Sequence, residues 1–154
     1  MIEYPNQYLP LPQITGYVLS TESPLQRSQL QSGRARQRRR FTSVPVAVTA
    51  TWRMTHNQGA WFEAWFQSAL KDGALWFLAN LQTPKDAGGL APYECRFTDI
   101  YDGPTLLQGV LWEYTAMLEL RQRPLIPVEW VEFPDFWFEG NIIDMAMNRE
   151  WPEV

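Results

Sequence analysis

Val44, Val46 and Val48 alternate with smaller residues through VPVAVTATW, residues 44–52, the period-two pattern of a half-buried strand. Pro45 donates no ladder hydrogen bond, which puts it at the start of that strand or on an edge. An earlier stretch, ITGYVLS at 14–20, is β-branched and aromatic and bounded by Pro12 and Pro24, so it predicts a first strand. After the valine stretch the period changes. Thr55 and Gln58 stand three apart, as a capping box requires, and AWFEAWFQSALKDG follows. Trp61, Trp65 and Ala69 form one i, i+4 column and Phe62, Phe66 and Leu70 the next, a wide apolar stripe on one helix face. The spacing predicts a helix over about 57–72, closed by Gly73 at a C′ position free to take positive φ. Trp61, Phe62, Trp65 and Phe66 are its expected buried side chains.

Three further strands are predicted. ALWFLA at 74–79 is apolar throughout, as in a strand covered on both faces. YECRF at 93–97 follows a loop containing Pro84, Gly88 and Gly89, and Asp102-Gly-Pro104 reads as the next turn. From Leu106 to Leu120, the set Trp112, Tyr114, Ala116, Leu118 and Leu120 is apolar and its alternate set mixed. That predicts one long strand with one face in the core, a Leu-rich helix being the competing reading. The fold class is therefore mainly β with one flanking α-helix, a β-sandwich or small barrel over residues 14–124.

The flanks differ from this domain. Residues 1–13 carry three prolines and no period, which predicts an extended N-terminal arm. Residues 125–154 interleave aromatics with acids and break on Pro127, Pro134 and Pro152. They read as an acidic, aromatic C-terminal arm, with a short helix expected over 141–150. The 154-residue length suits one core-bearing domain, and 45% apolar content places the chain outside disordered compositions. No apolar run approaches the ~20 residues of a spanning helix, and the N-terminus lacks the pattern of a secretory signal. A soluble protein is expected. Cys95 is the only cysteine, which excludes an intrachain disulfide, suits a reducing compartment and fits a small buried side chain on a strand.

Candidate chemistry is sparse. His56, the only histidine, falls at the predicted helix start, and no relay of base and orienting group is suggested by its spacing. One Cys and one His offer no nitrogen and sulfur set for zinc. Asp99-x-x-Asp102-Gly lacks the further acids of a calcium loop, and Gly88-Gly89 lacks the Lys and Ser/Thr of a phosphate cradle. No catalytic residue, metal site or cofactor is expected.

Charge supplies the one strong signal. RARQRRR at 34–40, with Arg27, holds six of the thirteen basic residues, and no acid lies between Glu22 and Glu63. Mutual repulsion makes 25–40 an exposed loop or flexible hairpin. From Glu129 to Glu153 there are seven acids against Arg149 alone. Opposite charge at the two ends suits a subunit that contacts its own copies head to tail. Arginine pairs bidentately with carboxylate, whereas a phosphate clamp would meet an acidic chain without interleaved aromatics. A membrane role lacks an adjacent apolar face.

TATWRM (49–54), FEAWF (62–66), DGALWF (72–77), YECRF (93–97) and VLWEYTAMLEL (110–120) together resemble the succession of elements in small tail-assembly proteins of bacteriophages. The resemblance spans about residues 44–122. It implies a tail-tube-like fold in subunits that close into a ring, commonly hexameric, at tube, tube-terminating or baseplate-proximal layers, including the "ripcord" layer of contractile tails. The Arg-rich loop and the acidic aromatic extension depart from a plain tube subunit and favour an adaptor. The implied role is a non-enzymatic structural subunit of the virion tail, assembled in the host cytoplasm, whose homo-oligomeric ring joins tail tube to baseplate or another terminal layer. In that role Arg34, Arg36, Arg38, Arg39 and Arg40 would contact acidic surface on a neighbour, and Trp130, Phe136, Trp137 and Trp151 would dock into apolar grooves. The alternative is a nucleic-acid-binding module that uses residues 27–40 as a phosphate clamp.

Overall fold

The longest ladder in the computed structural model joins β5 (Val46–Met54) to β9 (Leu111–Leu120), antiparallel from Val46↔Leu120 to Met54↔Trp112. The structure describes residues 1–13, 16–31, 33–135 and 137–138, in two units, Met1–Arg123 and Pro124–Val154. In the first unit, β9 pairs along its other edge with β7 (Ala91–Phe97) near its end and with β8 (Asp102–Leu107) near its start. The sheet continues outward through β6 (Phe77–Leu81) to β1 (Ile2–Glu3), and beyond β5 to β2 (Val18–Thr21). All pairings are antiparallel except β1 with β6. The mainly β class with one flanking helix is thus the observed one.

Strand alternation decides which side chains form the core. Val46, Val48, Ala50, Trp52 and Met54 of β5 face inward with Tyr114, Ala116, Leu118 and Leu120 of β9. The outward set is mixed and carries ion pairs: Arg53 meets Glu113 at 2.8 Å, Arg96 meets Glu119 at 2.7 Å, and Arg121 meets Glu94 at 2.7 Å. The sheet is curled. Trp52 on β5 and Phe77 and Leu81 on β6 line one small cavity with Tyr4 and Leu118, although β6 and β5 stand three steps apart in the strand order. A flat sheet would separate them by about 14 Å.

Residues 1–13, expected as an extended arm, cross the open side of this curl and place Tyr4 and Leu9 in the core. Tyr4 N–H donates to Leu78 O at 2.7 Å and Gln13 N–H to Thr51 O at 2.7 Å, tying the segment to β6 and to β5. Tyr4 and Leu9 are buried, and Tyr4 Oη donates to Pro10 O at 2.6 Å. Their apolar side chains fill a gap that the strands leave, which outweighs the absence of periodic structure.

Helix α1 (His56–Ser68) lies over the inner face, and its capping box between Thr55 and Gln58 is formed. It ends earlier than the apolar columns predict, because Lys71, Asp72 and Gly73 all adopt positive φ and turn the chain toward β6. Phe62, Trp65, Phe66 and Leu70 are buried, but Trp61 is 42% exposed and rests beside Tyr8 at 5.8 Å. The inward face is centred between Phe62 and Phe66, and at 100° per residue Trp61 falls at its margin.

The expected single strand from Leu106 is two strands. Gln108 and Gly109 both take positive φ, the conformation of a tight hairpin turn, and Val110 N–H donates to Leu107 O at 3.1 Å. Apolar residues on both sides concealed that turn. Asp102-Gly-Pro104, expected as a turn, begins β8 with an irregularity between Asp102 and Thr105. The strand predicted over 14–20 is β2, which starts at Val18, and Ile14 and Thr15 of its predicted span lie outside the described residues.

The second unit, considered by itself, contains α2 (Val128–Glu132), whose Trp130 meets Trp137 edge-on at 6.0 Å. The helix expected over 141–150 lies outside the described residues. No helix among the described residues is long and apolar enough to cross a membrane.

Candidate functional site

Residues 25–40 form a two-stranded sheet of their own. Strands β3 (Leu25–Gln29) and β4 (Ala35–Arg39) pair antiparallel from Leu25↔Arg39 to Gln29↔Ala35, and neither pairs with the seven-stranded sheet. Every residue of β4 is exposed. Arginine carries this segment as a strand because its long stem tolerates a pleated, solvated surface, and the Pro24 carbonyl extends the ladder by accepting from Arg40 N–H at 2.8 Å.

Register sorts the charges. Arg36 and Arg38 share one face, opposite Ser28 and Gln26, while Arg27 and Arg39 lie on the other, opposite Gln37 and Leu25. The five arginines singled out in the sequence do not all do the same thing. Arg39 turns back on its own chain, donating from Nε to Phe41 O at 2.9 Å and from Nη2 to Thr42 O, so it clips the base of the hairpin. Arg38 donates to Gln26 Oε1 across the ladder at 3.1 Å. Arg40 lies over the Phe41 ring at 5.2 Å. Arg27, Arg34 and Arg36 make no side-chain hydrogen bond or ion pair among the described residues.

No carboxylate among the described residues pairs with any of these six arginines, since the ion pairs are those of Arg53, Arg96 and Arg121. The chain is −4 overall while the hairpin carries +6, which leaves −10 on the remainder. Like charges this close raise the local potential and draw in anions. Phe41 and Leu25, both about half exposed at the hairpin base, were not singled out in the sequence. The register sets Leu25 opposite Arg39, and Phe41 lies under Arg40.

Of the aromatic candidates, Trp130 and Trp137 are brought together on the second unit, each more than one third exposed. Phe136 and Trp151 lie outside the described residues.

Polar groups also gather at the turn leading into β7. Asp86 Oδ2 accepts from Thr83 N–H at 3.1 Å, Thr83 Oγ1 at 2.6 Å and Tyr93 Oη at 2.7 Å. Burial alone would raise its carboxyl, but these donors and nearby Lys85 hold it below the usual range. The arrangement ties the 3-10 turn Pro84–Asp86 to β7. Nearby, an apolar cleft of about 280 Å³ is lined by Leu11, Pro12, Tyr17, Asn80, Leu81 and Leu90, among others. The Tyr17 hydroxyl is enclosed without a hydrogen-bond partner among the described residues, and burial pushes it up to about 12.

His56 stands at the start of α1 and Cys95 on β7. His56 Nδ1 accepts from Trp112 Nε1 at 2.7 Å, fixing the helix start to β9. Cys95 is fully buried, and burial pushes its thiol up to about 12, far from the thiolate that a nucleophile or metal ligand requires. No group of three or more metal-ligating side chains occurs among the described residues. Comparison with family models, curated proteins and solved structures returns no match to this chain.

Proposed function

We propose that the chain is a structural subunit of a phage tail, whose ring joins the tail tube to the baseplate or another terminal layer. The observation that carries this reading is the arginine hairpin. Its strands pair only with each other, its six guanidinium groups meet no carboxylate among the described residues, and the rest of the chain is −10. Such a projection is complementary to the acidic surface of another copy, and a heterologous contact of that kind forms a ring when its rotation closes. The curled sheet and its aromatic core supply the rigid body that a ring requires.

In this reading the arginines act through charge-assisted hydrogen bonds to carboxylates, and assembly weakens as salt screens the approach. Native mass measurement of the purified protein, alone and with tail-tube and baseplate neighbours, tests the proposal. A multiple of the monomer mass is expected, lost when Arg34, Arg36, Arg38, Arg39 and Arg40 are replaced by Gln while the monomer remains folded. Unchanged ring formation in that variant removes the hairpin from the mechanism.

A further inference from the structure

We propose that the hairpin of one copy receives the acidic segment 129–135 of a second copy, so that hairpin and segment are the two halves of a head-to-tail contact. This inference rests on the ring-subunit reading and adds the acceptor that reading leaves open.

The acceptor follows first from which free carboxylates stand together: Glu3, Glu22, Asp72, Asp99 and Asp102 also make no ion pair among the described residues, but no three of them share one segment. Glu94, Glu113 and Glu119 are held in ion pairs on the outer face of the sheet. Asp86 is occupied by Thr83 and Tyr93, and Glu63 accepts from Tyr114 Oη at 3.1 Å. Glu129, Glu132 and Asp135 lie within seven positions, with no basic residue from 124 to 135. All three are exposed, and their carboxylates have no partner among the described residues.

Spacing agrees. Arg36 and Arg38 are two apart on one face of β4, which separates them by about 6.7 Å along a strand. Glu129 and Glu132 are three apart on α2, with Cβ atoms about 5–6 Å apart. The reach of an arginine side chain covers the difference, so both pairs form at once. Two different patches on one chain are what a heterologous interface needs.

A phosphate polymer also attracts arginine, but it would be repelled by the −10 carried on the rest of the chain. The test uses the full chain in analytical ultracentrifugation, with thermal melts confirming that each variant folds. Arg36→Glu with Arg38→Glu, and separately Glu129→Lys with Glu132→Lys, should each weaken self-association at least tenfold. An equimolar mixture of the two variants should restore it, because the reversed hairpin of one meets the reversed segment of the other. If the Glu129→Lys, Glu132→Lys variant assembles like the wild type while the arginine variant does not, the inference fails and the ring reading survives. A wild-type chain that stays monomeric, alone and with its tail neighbours, overturns both. DNA retained at low salt by the wild type and lost in the arginine variant, with self-association unchanged, also overturns the inference.

Discussion

Phe62 stands at the centre of the helix-to-sheet contact, and its truncation gives the sharpest measure of how α1 is seated. The ring is fully buried and has five aromatic neighbours: Tyr114 at 5.2 Å, Tyr101 at 5.4 Å, Trp52 at 6.1 Å, Trp65 at 6.2 Å and Phe66 at 6.4 Å. Phe62→Ala removes about 1.5–3 kcal/mol of burial, leaves a void, and severs ring pairs that contribute about 0.5–1.5 kcal/mol each. Stiff planar neighbours close such a void poorly, so the cost should reach the upper part of the ~3–5 kcal/mol seen for core Phe→Ala changes. Trp61 lies one position away but is 42% exposed with Tyr8 as its aromatic neighbour, and Trp61→Ala should cost under about 1 kcal/mol. Urea unfolding followed by far-UV circular dichroism reads both. At an m-value of ~2 kcal/mol/M the midpoint should fall by about 2 M for Phe62→Ala and under 0.5 M for Trp61→Ala. Phe62→Leu, which keeps most of the volume, should fall between them and guards against a chain too unstable to measure. Equal shifts for Phe62→Ala and Trp61→Ala, or a larger one for Trp61→Ala, would refute this seating of the helix.

Gly59→Ala should destabilise by about 1–3 kcal/mol, although alanine is the better helix former by about 1 kcal/mol. A Cβ there would lie 2.7 Å from Tyr114 Oη, at the end of a buried ring, and denaturant midpoints should show the loss partly relieved in the double variant with Tyr114→Phe. Stability should decline as pH rises above 9. The unfolded chain releases the Cys95 proton near 9.0 and the Tyr17 proton near 10.0, while in the fold burial keeps each bound to about 12 and raises Tyr4 and Tyr114 as well. The unfolded state then binds fewer protons, so urea midpoints at pH 8.5 and 10.5 should fall in that order, and Cys95→Ala should remove the earliest part of the decline. Replacing residues 22–42 with a short Gly/Ser linker should leave the thermal midpoint within about 3 °C, since β3 and β4 pair only with each other. A large loss on calorimetry would show that the hairpin supports the core.

Periodicity carried the core strands and the helix face because those residues are sorted by water. The valines of β5, the even-numbered residues of β9 and Phe62, Trp65 and Phe66 all lie where their spacing put them. The pattern failed where burial and backbone geometry disagree. Leu106 and Leu107 looked continuous with Leu111, but positive φ at Gln108 and Gly109 reverses the chain. Residues 1–13 have no period because they fill a gap instead of lying on a regular surface, so Tyr4 and Leu9 gave no sign of burial. The arginine hairpin was visible as charge, and its exposure follows from repulsion alone. Its internal division was not visible, because the placement of Arg36 and Arg38 on one face and the return of Arg39 to its own backbone depend on strand register.

Among the described residues β3 and β4 pair only with each other, so, on the ring-subunit reading, substitutions along them would alter what the protein grips without disturbing how it folds. A fitting that can be re-cut while the body stays unchanged lets one scaffold follow the drift of a neighbour's surface. Selection on that surface should therefore fall on residues 25–40 independently of the aromatic core.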